Sequence, residues 1–203
     1  MDIEIKRLTP ELIEDYLRFF DVTPHDDDIP GSKCYCVCWC SADHRIATDF
    51  SSQEKRRELA RQYIKDGVIQ GYLAYQGDRV VGWCNANTKS ECQHCISWLR
   101  FMQSVSINDT PLKVKSVFCF VIPPDMQRKG IATKLLERVV DDAEADKFDV
   151  VESYPKKEFI NVARDFMGPA KMYEKLGFTV VDEVNGEIVM QKFLKGGVQY
   201  HEI

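Results

Sequence analysis

The sequence predicts one domain of the α/β (α+β) class, with a central sheet of mixed strand direction and helices on both of its faces. The length of 203 residues is typical of a single domain. Segments with strand character and amphipathic helical segments follow one another in the order β-α-α-β-β-β-α-β-α-β-β. The chain has no internal repeat, low-complexity tract or proline-rich linker. We therefore treat residues 1–203 as one domain.

The first strand and the first helix are predicted from patterning and from a helix-start signal. Residues 3–8 alternate polar and apolar side chains, as a half-buried strand does. Thr9-Pro10 is typical of a helix start, and this helix should run to about Phe20. Residues 21–50 are expected to be irregular, and they hold a cluster of cysteines.

A second helix and a β-hairpin follow this irregular region. Ser51-Ser52-Gln53-Glu54 has the pattern of a capping box, and the helix behind it should reach about Asp66. Residues 69–75 and 79–86 have strand character. They flank Gln76-Gly77-Asp78, which is a hairpin signal.

The middle of the chain combines an insertion with the two strongest element signals. Residues 87–112 are long and mixed, and we expect an insertion with a short helix around residues 97–104. Residues 114–122 are rich in β-branched and aromatic side chains and predict a strand that stops at Pro123-Pro124. Residues 128–145 predict the longest helix because their apolar side chains recur at helical spacing.

The C-terminal part is predicted to close the sheet. Residues 149–153 are expected to form a short strand. Gly168-Pro169 is expected to open a helix, which Gly177 ends from the position after its C-cap. Residues 178–194 then predict a last hairpin around Asn185-Gly186.

Charge and hydropathy exclude several function classes. With 27 basic and 32 acidic residues the net charge is −5, and no basic stripe is present, so nucleic acid is not an expected partner. No apolar run is long enough to cross a membrane, and the alternating N-terminus is unlike a signal peptide. We therefore expect a cytoplasmic protein whose eight cysteines are mostly free thiols.

The pattern that carries chemistry lies where the strongest strand leads into the longest helix. N–H groups in the first turn of a helix lack intrahelical acceptors and carry partial positive charge, so such an end binds phosphate. Gly130 allows a phosphate to approach the backbone closely, and Arg128 and Lys129 add positive charge at the rim. The pattern suits a pyrophosphate. Its candidate ligands are Gln127, Arg128, Lys129, Gly130, Ile131, Ala132 and Thr133.

The spacing narrows the kind of pyrophosphate ligand. A nucleotide P-loop needs Gly-Lys-Ser/Thr, and a dinucleotide site needs three glycines, and both patterns are missing here. The stretch from Pro124 to Ala132, Pro-x-x-Gln-x-x-Gly-x-Ala, resembles the coenzyme A pyrophosphate loop of the GNAT acetyltransferase superfamily. The segment from Met172 to Phe178, Met-Tyr-Glu-Lys-Leu-Gly-Phe, is similar to that family's last helix and the strand behind it. The resemblance covers roughly residues 69–194.

Three further matches resemble a bacterial subgroup of the same family. They are Cys34-Tyr35-Cys36-x-x-Trp39, Gly82-Trp83-Cys84, and Phe166-x-Gly168 ahead of Met172-Tyr173. This subgroup has mostly unassigned substrates, so the likeness does not identify an acceptor.

The resemblance implies a mostly antiparallel sheet and transfer of an acetyl group from acetyl-CoA to an amine that attacks directly. In the family, the strand before the loop bulges away from its neighbour and pairs with the pantetheine arm. The matching positions here are Phe120, Val121 and Ile122, and one N–H there would stabilise the oxyanion. The family's general acid matches Tyr173. Many members have a cofactor-binding Asn seven residues earlier, where this chain has Phe166.

The general base is left open by the sequence. Glu152, at the end of the strand after the long helix, and Glu91, in the insertion, are candidates. For each of them, a solvated surface carboxylate is the simpler interpretation. Members of the family often use a chain of water molecules, so a dedicated base is not required.

The cysteines allow more than one interpretation. As a strand, Cys34, Cys36, Cys38 and Cys40 would put four sulfur atoms on one face. One straight strand cannot direct four ligands to one zinc ion, so we expect no metal, although a bent loop together with Cys92-x-x-Cys95 could supply ligands. Cys119 is expected to pack in the core, with an acyl-carrying nucleophile as the alternative. The histidines His25, His44 and His201 support no catalytic triad.

The acceptor and the oligomeric state are not fixed by the sequence. The leading hypothesis is a primary amine of a small molecule, acetylated by a monomer or a homodimer. A protein or peptide N-acetyltransferase and a non-catalytic acetyl-CoA sensor are the alternatives, and a cysteine-rich metal or redox protein is a further one. An acceptor site enclosed by residues 34–49 and 87–112 would favour a small molecule, whereas an open groove would favour a peptide.

Overall fold

The computed structural model describes residues 2–24, 32–40, 48–102, 111–161, 165–184 and 186–194. The strands in these residues are β1 Glu4–Arg7, β2 Gly71–Gln76, β3 Arg79–Thr88, β4 Val114–Val121, β5 Val150–Ser153, β6 Thr179–Val184 and β7 Glu187–Phe193. The α-helices are α1 Ile13–Val22, α2 Gln53–Lys65, α3 Lys89–Cys92, α4 Ile96–Phe101, α5 Ile131–Ala145 and α6 Ala170–Lys175. Short 3-10 turns span Pro10–Leu12, Val37–Trp39 and Pro124–Met126.

The strands form one sheet in the order β1-β2-β3-β4-β5-β7-β6. The pair β4–β5 is parallel, and the other neighbouring pairs are antiparallel. This confirms the predicted mixed and mostly antiparallel sheet. The parallel pair is joined through α5, the crossover helix that such a connection requires.

Two apolar clusters lie on opposite faces of the sheet. One face is covered by α1, α2, α4 and the turn Val37–Trp39, and the other by α5 and α6. Alternate residues of β2 show the division, since Leu73 belongs to the first cluster and Ala74 to the second. Helices on both faces are therefore confirmed.

A bulge in β4 interrupts this alternation. Asn85 pairs with Cys119, whereas the next residue, Ala86, pairs with Val117, so Phe118 is an extra residue in β4. As a result Phe118 and Cys119 both pack in the cluster of α1 and α4. The bulge thus directs Cys119 to the face of α1 and α4. In a regular strand its side chain would lie on the opposite face.

The long helix begins later than the sequence indicates. We predicted its start at Arg128, but α5 begins at Ile131, with Gly130 as its N-cap residue. Arg128 has φ +58° and Gly130 has φ +78°, and both values are incompatible with helix. Glycine adopts such a φ without strain, so Gly130 can form the turn that leads into α5.

The cysteine segment is not a strand. Tyr35 and Cys36 both have positive φ, at 48° and 51°, and the 3-10 turn Val37–Trp39 follows them. The interpretation that four sulfur atoms share one strand face is therefore wrong. Several residues named in the predictions lie outside the described residues, namely His25, His44, His201, Asn185 and residues 103–110.

The predicted capping box and insertion helix need smaller corrections. The N-cap of α2 is Ser52, whose hydroxyl accepts from the N–H of Lys55 at 3.2 Å, so Glu54 stands one residue too early to complete the box. The insertion contains the expected short helix as α4, and also α3, which was not predicted. None of the helices within the described ranges is long and apolar enough to cross a bilayer.

Candidate active site

The loop between β4 and α5 is built from a strand end, a 3-10 turn and an open helix start. The N–H of Met126 donates to the carbonyl of Pro123 at 2.8 Å, and the Met126 side chain is buried. The side-chain amide of Gln127 donates to the carbonyl of Ile122 at 3.2 Å. The Gln127 side chain therefore holds the loop against the end of β4. From the sequence we expected Gln127 to contact the cofactor, and this role was not predicted.

The first turn of α5 presents the groups that a pyrophosphate needs. Ile131, Ala132 and Thr133 occupy the first three helical positions, where N–H groups have no intrahelical acceptor. Arg128 and Lys129 are exposed beside them. A Cβ atom at Gly130 would meet no protein atom within 4 Å, so the space in front of this backbone is open. These residues fit the pyrophosphate of coenzyme A.

The second half of β4 lies free of its parallel neighbour. β5 pairs with β4 only from Val114 to Val117 and ends at Ser153. Beyond this point the N–H of Phe120 donates to the carbonyl of Phe166 at 2.7 Å. The amide expected to pair with the cofactor is thus already hydrogen-bonded to the segment that precedes α6.

A cavity of about 510 Å³ opens beside this half of β4. Its walls come from the strand end, from the cysteine segment and from α4. The described lining residues are Pro24, Cys34, Cys36, Cys38, Trp39, Phe50, Ile96, Ser97, Arg100, Cys119, Phe120, Val121, Ile122, Pro124, Gln127 and Phe166. The positions expected to hold the acyl end of the cofactor therefore form one wall of this cavity.

The side chain of Tyr173 does not lie where it could donate a proton directly into the cavity. It is fully buried on α6, and its hydroxyl donates to the carbonyl of Met167 at 2.6 Å. Burial raises the pKa of this phenol well above its usual value. Tyr173 is not among the described residues that line the cavity.

Glu152 is neither at the surface nor in the cavity. Its carboxylate is buried, pairs with the ammonium of Lys89 at 2.7 Å, and accepts from Tyr154 at 2.5 Å and from Gln191 at 2.6 Å. The Tyr154 hydroxyl also bonds Ser116 at 2.8 Å. The interpretation of Glu152 as a surface carboxylate is therefore wrong, because the group is a buried ion pair, and its role as a base stays a prediction.

The other candidate base, Glu91, is exposed on α3 and accepts from the side chain of Gln70 at 3.1 Å. It too is missing from the described lining of the cavity. No carboxylate occurs among those lining residues.

The eight cysteines are free thiols. Cys34, Cys36 and Cys38 line the cavity, whereas Cys40 accepts from the side chains of Asn85 at 3.5 Å and Asn87 at 3.1 Å. Within the described residues, no group of three or more potential ligands is placed to hold a metal ion. Cys119 lies at the cavity wall rather than only in the core, because the bulge turns it there.

Sequence reasoning missed the residues that build the far wall. Phe50, Ile96 and Arg100 belong to no motif, and the packing of α4 against the turn Val37–Trp39 brings the last two to the cavity. The sequence offered the irregular region and the insertion only as a test, in which their enclosure of the acceptor site would favour a small molecule. Cys34, Cys36, Cys38 and Trp39 do line the cavity, together with Ile96, Ser97 and Arg100 of α4.

Comparisons with known proteins agree with this geometry. A family model described as the acetyltransferase (GNAT) domain matches residues 69–180, which is more than half of the chain. No curated protein sequence matches this chain significantly.

Solved structures show the same fold at low identity. An acetyltransferase of the GNAT family from Streptococcus pneumoniae has a TM-score of 0.52 at 14% identity, covering 96% of this chain and 100% of its own. The polyamine N-acetyltransferase of Drosophila melanogaster has 0.53 at 11%, covering 95% and 100%. The ribosomal-protein-S18-alanine N-acetyltransferase of Escherichia coli has 0.51 at 13%, covering 99% and 100%.

At these identities the structural likeness shows the fold alone, and the family is shown by the match of the family model. That match spans β2 to β6 and includes both the open start of α5 and the freed half of β4. The protein belongs to the GNAT family of N-acetyltransferases.

Proposed function

We propose that the protein transfers the acetyl group of acetyl-CoA to the primary amine of a small molecule by direct attack. The observation that carries this proposal is the continuity of the site. Phe120, Val121 and Ile122 line the cavity and lead directly into the loop whose helix start suits a pyrophosphate. A cofactor held by the loop and the strand would therefore present its acyl end to a molecule in the cavity.

The proposed cofactor contacts follow from these groups. The amides of Ile131, Ala132 and Thr133, with Arg128 and Lys129, would bind the pyrophosphate. The pantetheine arm would lie along the second half of β4. Gln127 would act by holding the end of the strand against the loop, since its amide already bonds Ile122.

The reaction forms a C–N bond and breaks the C–S bond of the thioester. A backbone N–H near the reacting carbonyl would stabilise the oxyanion, and removal of one such donor typically costs ~100–1000-fold in rate. Phe120 can serve only if Phe166 releases its amide. Ile122, two residues on and also at the cavity wall, is the other expected donor.

Tyr173 remains the proposed general acid for the departing thiolate. Its hydroxyl is held at the Met167 carbonyl, and a thiolate is the stronger acceptor because it carries a full charge. For Tyr173 to act, its hydroxyl must turn from the carbonyl toward the leaving group when the cofactor is bound.

We do not assign the general base to Glu152. Its carboxylate already has an ion pair and two hydrogen bonds in the core. A largely apolar cavity disfavours the charged ammonium form of the acceptor, so the amine becomes neutral more readily there than in water. A water molecule can then remove the proton lost on attack.

The cavity favours a small acceptor over a protein one. Its described walls come from several separate parts of the chain, and its volume of about 510 Å³ is in the range of small-ligand sites. A catalytically silent acetyl-CoA sensor would bind the cofactor and yield no acetylated product.

The test uses purified full-length protein with acetyl-CoA and a mixture of primary amines. Products are read by mass spectrometry, because free thiols of the protein would react with a thiol-specific dye. The expected result is acetyl-CoA binding by calorimetry together with an N-acetylated small amine. Binding without turnover would favour the sensor, and products only on peptides would favour the protein acceptor.

Direct attack is separated from an acyl-enzyme route by the variant Cys119→Ala. Direct attack predicts that acetyl transfer persists in this variant and that initial-velocity lines for the two substrates intersect. Parallel lines and loss of transfer in Cys119→Ala would instead indicate a thioester on Cys119.

A further inference from the structure

We propose that Asp165 is a positioning residue of the acetyl transfer, because it holds residues 165–168 on the strand edge that the pantetheine arm needs. This inference rests on the proposed function and deepens it by naming what the cofactor must displace. Residues 165–168 compete with the cofactor for one main-chain N–H group, and binding of acetyl-CoA requires them to withdraw from it.

The contested group is the main-chain N–H of Phe120. β5 pairs with β4 only as far as Val117, so the edge of β4 beyond that residue is free of β5. There the Phe120 N–H donates to the carbonyl of Phe166 at 2.7 Å. A residue has a single main-chain N–H donor. A carbonyl of the pantetheine arm can therefore make a well-aligned hydrogen bond with Phe120 only after Phe166 has left.

Asp165 fixes the position of these residues. It is 3% exposed, and its carboxylate oxygen Oδ2 accepts from the main-chain N–H groups of Ile160 at 2.5 Å and Asn161 at 3.2 Å. Its own N–H donates to the Asn161 carbonyl at 2.9 Å, and its carbonyl accepts from Gly168 at 2.9 Å. A carboxylate makes stronger hydrogen bonds with N–H groups than a neutral acceptor does. Asp165 therefore closes a turn and ties it to the preceding chain.

The same turn holds the proposed acid. The carbonyl of Met167 accepts from the Tyr173 hydroxyl at 2.6 Å. When the pantetheine arm replaces the Phe166 carbonyl at β4, the adjacent Met167 carbonyl shifts with it, and the Tyr173 hydroxyl loses its acceptor. Arrival of the cofactor thus supplies the release of Tyr173 that the reaction requires.

Such competition has a measurable cost in affinity. The apparent Kd of a ligand is its intrinsic Kd divided by the fraction of the protein in the binding-competent state. Loss of the Asp165 side-chain bonds makes withdrawal of the turn easier, so Asp165→Ala should bind the cofactor more tightly than the wild type. A residue that only stabilises the fold would weaken binding, or leave it unchanged, when it is replaced.

The experiment measures Kd by calorimetry for CoA and for adenosine 3′-phosphate 5′-diphosphate. CoA has the pantetheine arm and no acetyl group to transfer, and the second ligand is the nucleotide half of CoA without that arm. In Asp165→Ala, we expect the Kd for CoA to fall ~3–10-fold and the Kd for the nucleotide half to stay unchanged. An unchanged or raised Kd for CoA, or an equal fall for both ligands, would overturn the inference.

Asp165→Asn is the conservative control. The two N–H groups donate to the same oxygen of Asp165, and the amide oxygen of an asparagine can accept both. The wild-type Kd for CoA should therefore return in this variant. A Kd as low as that of Asp165→Ala would contradict the role of these bonds. If Asp165→Ala does not fold, Asp165→Ser, which keeps one weaker acceptor, should show the same change in CoA binding.

Asp149→Ala is a matched control elsewhere in the sheet. Its carboxylate also accepts from a main-chain N–H group, that of Lys113 at 2.7 Å. Asp149 lies beside Val150, at the end of the β4–β5 pair that is far from Phe120. Both Kd values should stay at the wild-type level in this variant. A fall in the Kd for CoA as large as in Asp165→Ala would show that the effect is not specific to residues 165–168.

The outcomes separate this inference from the proposed function. A wild-type protein that binds neither CoA nor its nucleotide half overturns the proposed function. A protein that binds both ligands, but whose Kd for CoA does not fall in Asp165→Ala, overturns only the competition at Phe120.

Discussion

The main-chain N–H of Phe120 donates to the carbonyl of Phe166 at 2.7 Å, so the segment before α6 lies on the free edge of β4. The same segment is fixed from behind, because Tyr173 donates to Met167 at 2.6 Å. Gly168, with φ +85°, would crowd Met172 and Phe120 if it carried a Cβ atom. The strand edge expected to bind the cofactor is thus coupled to the proposed acid through three consecutive residues, 166–168.

The helix start of α5 is tested by Gly130→Ala. An alanine at φ +78° is strained by ~1–2 kcal/mol, and its methyl group would enter the open space in front of the first-turn amides. We expect the Kd for acetyl-CoA to rise ~10-fold or more, measured by calorimetry.

Gly67→Ala is its matched control. Gly67 has φ +70° and no atom within 4 Å of an added Cβ, but it follows α2, which packs on the opposite face of the sheet from α5. It should lower stability by a similar amount and leave the Kd unchanged. Equal Kd values for both variants and the wild type would remove Gly130 from the cofactor site.

Tyr173→Phe tests the proposed acid. Loss of proton donation should lower kcat by ~100-fold or more, while acetyl-CoA affinity is retained. The variant also loses a buried hydrogen bond worth ~1 kcal/mol. Tyr16→Phe loses an equivalent bond, from a fully buried hydroxyl to the Tyr35 carbonyl at 2.8 Å, and calibrates the stability effect.

The two variants should therefore resemble each other in unfolding free energy and differ in kcat. If Tyr173→Phe loses only stability and keeps its kcat, Tyr173 is a positioning residue for the segment 166–168. The proton of the leaving thiolate would then come from solvent.

The ion pair of Lys89 and Glu152 should matter for stability rather than for chemistry. Glu152→Gln leaves a buried ammonium unpaired, which typically costs ~3–5 kcal/mol. Denaturant unfolding should show this loss, and the double variant Lys89→Met with Glu152→Gln should recover much of it. A fully folded Glu152→Gln protein without activity would restore Glu152 as a candidate base.

Lys115 gives the protein a pH-dependent stability. The residue is 7% exposed, and its ammonium donates to Gln70 at 3.1 Å and lies over the ring of Phe148 at 4.5 Å. Burial, then repulsion from Arg7, lowers its pKa to about 8. Because the folded pKa lies below the unfolded value, the unfolded chain binds more protons between the two values, and stability rises with pH there.

This rise is best measured as the difference between wild type and Lys115→Met, since thiols and phenols titrate in the same range. The variant should be the more stable protein near pH 7, by at most about 3 kcal/mol, and its advantage should shrink from pH 8 upward. A difference that does not change with pH would contradict a lowered pKa at Lys115.

The helices and strands that could be predicted from the sequence are those that are determined by the residues within them. The strand 114–121 and the helix ending at Ala145 follow from composition and periodicity, and the helix start follows from the glycine pattern. The start was misplaced by three residues because a non-glycine residue, Arg128, also has positive φ. Periodicity does not report such a conformation.

The site depends more on tertiary contacts, which single-sequence patterns do not contain. The bulge that turns Cys119 to the cavity results from the way β4 pairs with β3. The burial of Glu152 depends on its ion pair with Lys89, which comes from the insertion. Cys34–Cys40 alternate in the sequence as a strand would, yet two consecutive positive φ values turn this segment into part of the cavity wall.

The most direct test of the account is mass spectrometry of the products formed from acetyl-CoA and a panel of small amines. Direct acetyl transfer predicts an amine that gains one acetyl group on nitrogen, formed in equal amount to free CoA and at a rate that depends on Gly130. A protein that binds acetyl-CoA but releases CoA without an acetylated amine, on every amine offered, would contradict it.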